Sequence, residues 1–75
     1  MKEFAVKIIE KEKCKIDVMV GNDAVECEKY WKKRGGEKVR ANRIWNNEDL
    51  KHICENAKVE YREVILTATT SMRMI

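Results

Sequence analysis

Proline is missing from this 75-residue chain, glycine occurs three times and histidine once. With no proline there are no proline-rich linkers, and the chain shows no repeat or low-complexity tract either. No apolar run approaches the ~20 residues of a membrane span. The opening Met-Lys-Glu-Phe lacks the apolar core of a secretory signal. The expectation is a cytoplasmic protein with no membrane partner.

Cysteine is also sparse. Cys14, Cys27 and Cys54 are an odd number at wide spacing, a poor disulfide framework that suits a reducing compartment. Zinc sites show close ligand pairs such as C-x₂₋₄-C, and none occurs here, so neither a metal nor any other cofactor is expected. His52 and Cys54 are two apart on a helical stretch and point to different sides, which leaves the lone histidine without a catalytic partner. The acids are scattered among lysines, and Glu28 with Lys32 reads as an i, i+4 pair on an exposed helix face. A non-enzyme is the expectation. The chain also lacks the helix turn of KH domains, the paired aromatic strands of RRMs and the Gly-x-Ser-His signature of small toxin-type ribonucleases.

What is present describes one small α+β domain over residues 1–75. Hydrophobic residues make up 44% and charged residues 39%, the balance of a globular chain. A domain of this size buries only about 60–65% of the surface its unfolded form exposes, so its core is thin. Phe4, Val6 and Ile8 alternate, as do Ile16, Val18 and Val20, which predicts strands over 3–9 and 14–20. Glu10-Lys-Glu-Lys13 would be the turn between them, with a helical segment over 7–13 as the alternative because no Gly or Asn marks it.

Asp23 and Glu26 match a capping box. They predict a helix over about 24–34 with Ala24, Cys27 and Trp31 on its inner stripe and Gly35-Gly36 as its stop. The glycine pair sits at a helix C-terminus, the wrong end for a phosphate cradle. A strand over 37–45 follows, then a short helix capped by Asn46-Asn47, carrying Leu50, Ile53 and Ala57 and ending near Asn56. A last strand is expected over 58–69. The order is then ββαβαβ, a four-stranded, mostly antiparallel sheet with two helices on one face.

Such a sheet has an apolar surplus. Phe4, Val6, Ile8, Ile16, Val18, Val20, Val64 and Leu66 would supply one face, while Ala5, Ile9, Met19, Val59, Tyr61 and Ile65 remain on the other. Either the 70–75 tail, with Met72 and Met74, covers that second face or a second copy does. A homo-oligomer is as well supported as a monomer. Its contacts would be Ile9, Met19, Tyr61, Ile65, Met72 and Met74.

Charge is the remaining feature. Net charge is only +3, but residues 29–45 carry seven basic side chains against Glu37, whereas the rest carries nine against twelve acids. Lys29, Lys32, Lys33 and Arg34 crowd the helix end, where they complement its dipole. Lys38, Arg40 and Arg43 continue along the next strand. Trp31 reads as core, Trp45 as sharing the face of Val39 and Ala41, and Tyr30 as an exposed platform. The patch Lys29, Tyr30, Lys32, Lys33, Arg34, Lys38, Arg40 and Arg43 is expected to hold an acidic protein partner. Nucleic acid held by its phosphates is the alternative. The Lys, Glu, Asn and Ile bias suits an A+T-rich genome, including those of phage and mobile elements.

Overall fold

Alternating apolar residues build a hairpin whose turn is only two residues long. The computed structural model describes residues 2–70 and 73–74. In it β1 (Lys2–Glu10) and β2 (Lys13–Gly21) are antiparallel, with Glu10 opposite Lys13 and Lys2 opposite Gly21. Residues 7–13 are therefore strand and turn, not helix. Lys11 supplies the tight reversal with φ 56°, a left-handed conformation usually left to Gly or Asn.

That turn sets the parity of the sheet. Even-numbered residues of β1 stand opposite odd-numbered residues of β2: Phe4 faces Met19, and Ala5 faces Val18. Directly opposed residues share a face, so Ile16 and Val18 lie on the side of Ala5 rather than that of Phe4, Val6 and Ile8. The single-face grouping expected from alternation alone is corrected by this register.

After β2, α1 (Ala24–Lys32) starts at Asp23, whose carboxylate accepts the Glu26 N–H at 2.8 Å. Glu26 Oε2 in turn accepts the Asn22 N–H at 3.0 Å, closing the capping box. The helix stops at the glycines: Gly35 has φ 100°, and the Gly36 N–H donates to the Trp31 carbonyl at 3.1 Å. Gly36 also lets the chain pass closely, since a Cβ there would lie 2.6 Å from Val39 Cγ2 and 3.2 Å from the Trp31 carbonyl oxygen.

β3 (Lys38–Arg43) then pairs antiparallel with β1, with Val6 opposite Ala41 and Phe4 opposite Arg43. α2 (Asn47–Ala57) is capped by Asn46, which accepts the Asp49 N–H at 3.0 Å. It ends at Ala57, one residue past the expected Asn56, and Lys58 caps it in the left-handed conformation with φ 58°.

The largest departure from expectation is the segment read as a last strand. Tyr61–Thr70 is a helix, α3. Val64 is buried, with Tyr61 and Ile65 packed beside it at i−3 and i+1. This is helical spacing, and tertiary burial overrides the β-branched composition. The order is ββαβαα, followed by a two-residue β4 (Arg73–Met74) that pairs parallel with β2. The sheet order is β3-β1-β2-β4.

The helices are divided between the two faces, not gathered on one. α1 covers Phe4, Val6, Ile8, Met19 and Ala41 with Cys27 and Trp31. α2 and α3 cover Ala5, Ile16, Val18 and Ile44 with Leu50, Cys54 and Val64. The apolar surplus therefore has its cover within the chain. Met19 is completely buried under α1, Tyr61 and Ile65 pack into the second cluster, and Ile9 is half-buried. Met74 falls in β4, and Met72 lies outside the described residues.

Glu28 does not pair with Lys32. Its carboxylate accepts the Ala41 N–H at 3.0 Å, tying α1 to the outer edge of β3. Replacing Glu28 with Ala leaves that part-buried N–H without its partner and is expected to cost about 1–3 kcal/mol in urea denaturation, with Glu28→Gln costing less. Lys11→Gly and Lys58→Gly each relieve a left-handed side-chain strain and are expected to raise stability by about 1 kcal/mol. Gly36→Ala is expected to lower it by about 1–3 kcal/mol through the Val39 and Trp31 contacts.

Candidate functional site

β3 is the outer strand of the sheet, and the expected basic residues divide around it. Lys29, Lys32 and Lys33 project from the end of α1 and are exposed. Lys38 and Arg40 stand opposite Ile9 and Lys7, which puts them on the face of Ala5, away from α1. One patch in sequence is thus two in space, separated by the thickness of the sheet edge. None of Lys29, Lys32, Lys33, Lys38 and Arg40 forms an ion pair among the described residues.

The arginines behave differently. Arg34 folds back on its own helix, donating from Nη1 to the Tyr30 carbonyl at 3.0 Å with its guanidinium 3.6 Å from the Tyr30 ring centroid. Tyr30 is accordingly no open platform. It is half-buried and meets Trp31 edge-on, with centroids 5.7 Å apart at 78°. Trp31 is core, as its place on the α1 stripe implies, and Lys15 sits over its ring at 4.8 Å.

Trp45 reverses expectation more sharply. It is 75% exposed, with the Arg43 guanidinium stacked 3.8 Å from its ring centroid. The last rung between β1 and β3 is Phe4–Arg43, so position 45 stands beyond the sheet with no core to enter. Ile44 takes the buried place instead, and its N–H donates to the Glu3 carbonyl at 3.1 Å. The Trp45 N–H is held by Asp49 Oδ2 at 2.8 Å, which anchors the backbone while the ring stays in water. The signal that could have found this is Asn46: a helix cap directly after a tryptophan pulls the chain off the ladder.

A cleft of about 770 Å³ lies between the hairpin tip and the glycine turn, lined by Ile8, Glu10, Lys11, Glu12, Lys13, Lys15, Gly35 and Glu37. Three lysines meet three glutamates there, so the cleft carries no excess charge. The Gly35 and Gly36 N–H groups are both spent on helix carbonyls, at 3.3 and 3.1 Å, and cannot cradle an anion.

The thiols are placed apart. Cys27 is buried under the first face and Cys54 under the second, while Cys14 is exposed. Burial raises the thiol pKa of both buried cysteines. For Cys27, with Glu26, Asp23 and Glu28 adding to the effect, it is pushed from 9.0 to about 11. His52 is exposed, 3.8 Å from Glu48 one turn earlier.

No family model, no curated protein and no solved structure matches this chain. Among the described residues no helix is long and apolar enough to cross a membrane.

Alkylation of the native protein at pH 9 is expected to label Cys14 alone, with Cys27 and Cys54 reacting only after unfolding. Mass spectrometry counts the adducts. The sign for stability follows from Cys27: the unfolded thiol ionises from pH 9.0 while the native one holds its proton to about 11. Its contribution to stability therefore falls as pH rises through that window.

Proposed function

We propose that this is a small non-enzymatic accessory protein, of the kind phage and mobile-element genomes encode, that acts by binding an acidic protein surface. The observation that carries the reading is the exposed Trp45–Arg43 stack at one end of an edge strand whose flanking cations are unpaired among the described residues. Tryptophan and arginine are the side chains that dominate binding energies when desolvated by a partner. Cations left in water raise the rate of encounter and select partners of opposite sign. The two together describe steering by Lys29, Lys32, Lys33, Lys38 and Arg40 and anchoring by Trp45. The effect on the partner would be occlusion or stabilisation. A cytoplasmic setting suits three free thiols, two of them buried.

Nucleic acid is the second reading, and one observation favours it: Trp45 offers the open ring that Tyr30 does not. Self-association has less motive than the sequence suggested, because α2 and α3 cover Ala5, Ile16 and Val18 of the second sheet face.

Affinity capture from a native host lysate, with and without nuclease, separates the two readings. A protein partner is expected to survive nuclease, and to weaken by about 2 kcal/mol or more with Trp45→Ala. A complex lost on nuclease treatment, together with gel-shift affinity that falls steeply with salt and vanishes in Lys32→Glu/Lys33→Glu/Arg40→Glu, would overturn the protein-partner reading.

A further inference from the structure

We propose that the open corner of the second sheet face, made by Lys7, Ile9, Lys38 and Arg40, is where an extended acidic segment of the partner docks. The inference rests on the acidic-partner reading and assigns it a place. Register puts Lys7 directly opposite Arg40, and Ile9 directly opposite Lys38. On the other side of β1, Lys7 faces Ile16 and Ile9 faces Cys14, so no carboxylate stands in the ladder around these cations. None of the three is ion-paired among the described residues. Like charges directly across two strands oppose pairing, and a local rule broken without internal compensation is a mark of a functional surface.

The apolar centre of this corner is unclaimed as well. Ile9 is half-buried yet belongs to neither core cluster, and the cover given by α2 and α3 reaches Ala5, Ile16 and Val18 instead. Arg40 and Lys38 are exposed on the outermost strand and Lys7 is half-buried beside them. The result is one aliphatic side chain ringed by three cations.

Spacing identifies the occupant. Lys38 and Arg40 are alternate residues of one strand, about 6.6–6.8 Å apart along it, with Lys7 about 4.8 Å away on the next. An extended segment carrying carboxylates at alternate positions repeats at the same interval and turns all of them toward this face, where their methylene groups can lie along Ile9. None of the four corner residues is aromatic, so bases would find no stacking surface there. Lys7 lies outside the basic stretch of the sequence, and only the β1–β3 register brings it in.

The test is a titration of the isotope-labelled full chain, followed by amide and side-chain NMR shifts, with a soluble alternating Glu-Val peptide and, separately, oligothymidylate. The expected result is peptide-induced shifts centred on Lys7, Ile9, Lys38 and Arg40. Affinity should fall at least several-fold in Lys7→Ala and again in Lys38→Glu/Arg40→Glu, each variant keeping a dispersed native spectrum. Peptide shifts centred on Lys29, Lys32 and Lys33, unaffected by the corner variants, would remove this site while leaving the acidic-partner reading intact. Oligothymidylate binding at the corner in place of the peptide would overturn the acidic-segment assignment. No response to the peptide at any cation would overturn both.

Discussion

The two-residue turn at Lys11-Glu12 is the constraint on which the rest of the structure depends. Because side chains alternate along a strand, a loop one residue longer would move every β2 side chain to the other face. With Glu10 opposite Lys13, Met19 joins Phe4, Val6 and Ile8 under α1, while Ile16 and Val18 join Ala5 beneath α2 and α3. Both faces are therefore apolar, and both need a helical layer. That requirement lets a short, β-branched C-terminal stretch settle as a helix on the second face.

The edge strand is managed by the same economy. β3 could pair outward, yet Glu28 occupies the Ala41 N–H and lysine and arginine line the strand, both known ways to discourage edge-to-edge association. A residue that looks like half of a surface ion pair thus holds a helix to a sheet. The positive charge has a cause of its own at the α1 terminus, where Lys29 and Lys32 complement the helix dipole. The helix dipole does not act on Lys7, Lys38 and Arg40, and edge protection, which suits Lys38 and Arg40 on β3, does not account for Lys7 on the inner strand β1. Function is best sought where charge lacks a structural explanation.

Local signals were legible where one chemical rule decides the outcome. The capping box at Asp23, the glycine stop, the Asn46 cap and the paired strands could all be read from residue spacing. The helix over Tyr61–Thr70 could not, because Val64, Ile65, Thr67, Thr69 and Thr70 have the composition of a strand. Of the candidate site, the cations were evident but their geometry was not. Tyr30 and Trp45 exchanged roles, one drawn inward by Trp31 and Arg34, the other left beyond the last rung of the sheet.

By itself the sequence determined the two helix N-caps, the glycine stop, the hairpin, the inner stripe of α1 and the charge asymmetry, since each follows from interactions within a few residues. Only the tertiary structure decided which face each strand residue serves, that the last segment is helical, and that Lys7 joins Lys38 and Arg40. Those outcomes depend on register and on which surface is still uncovered, quantities that no local window contains.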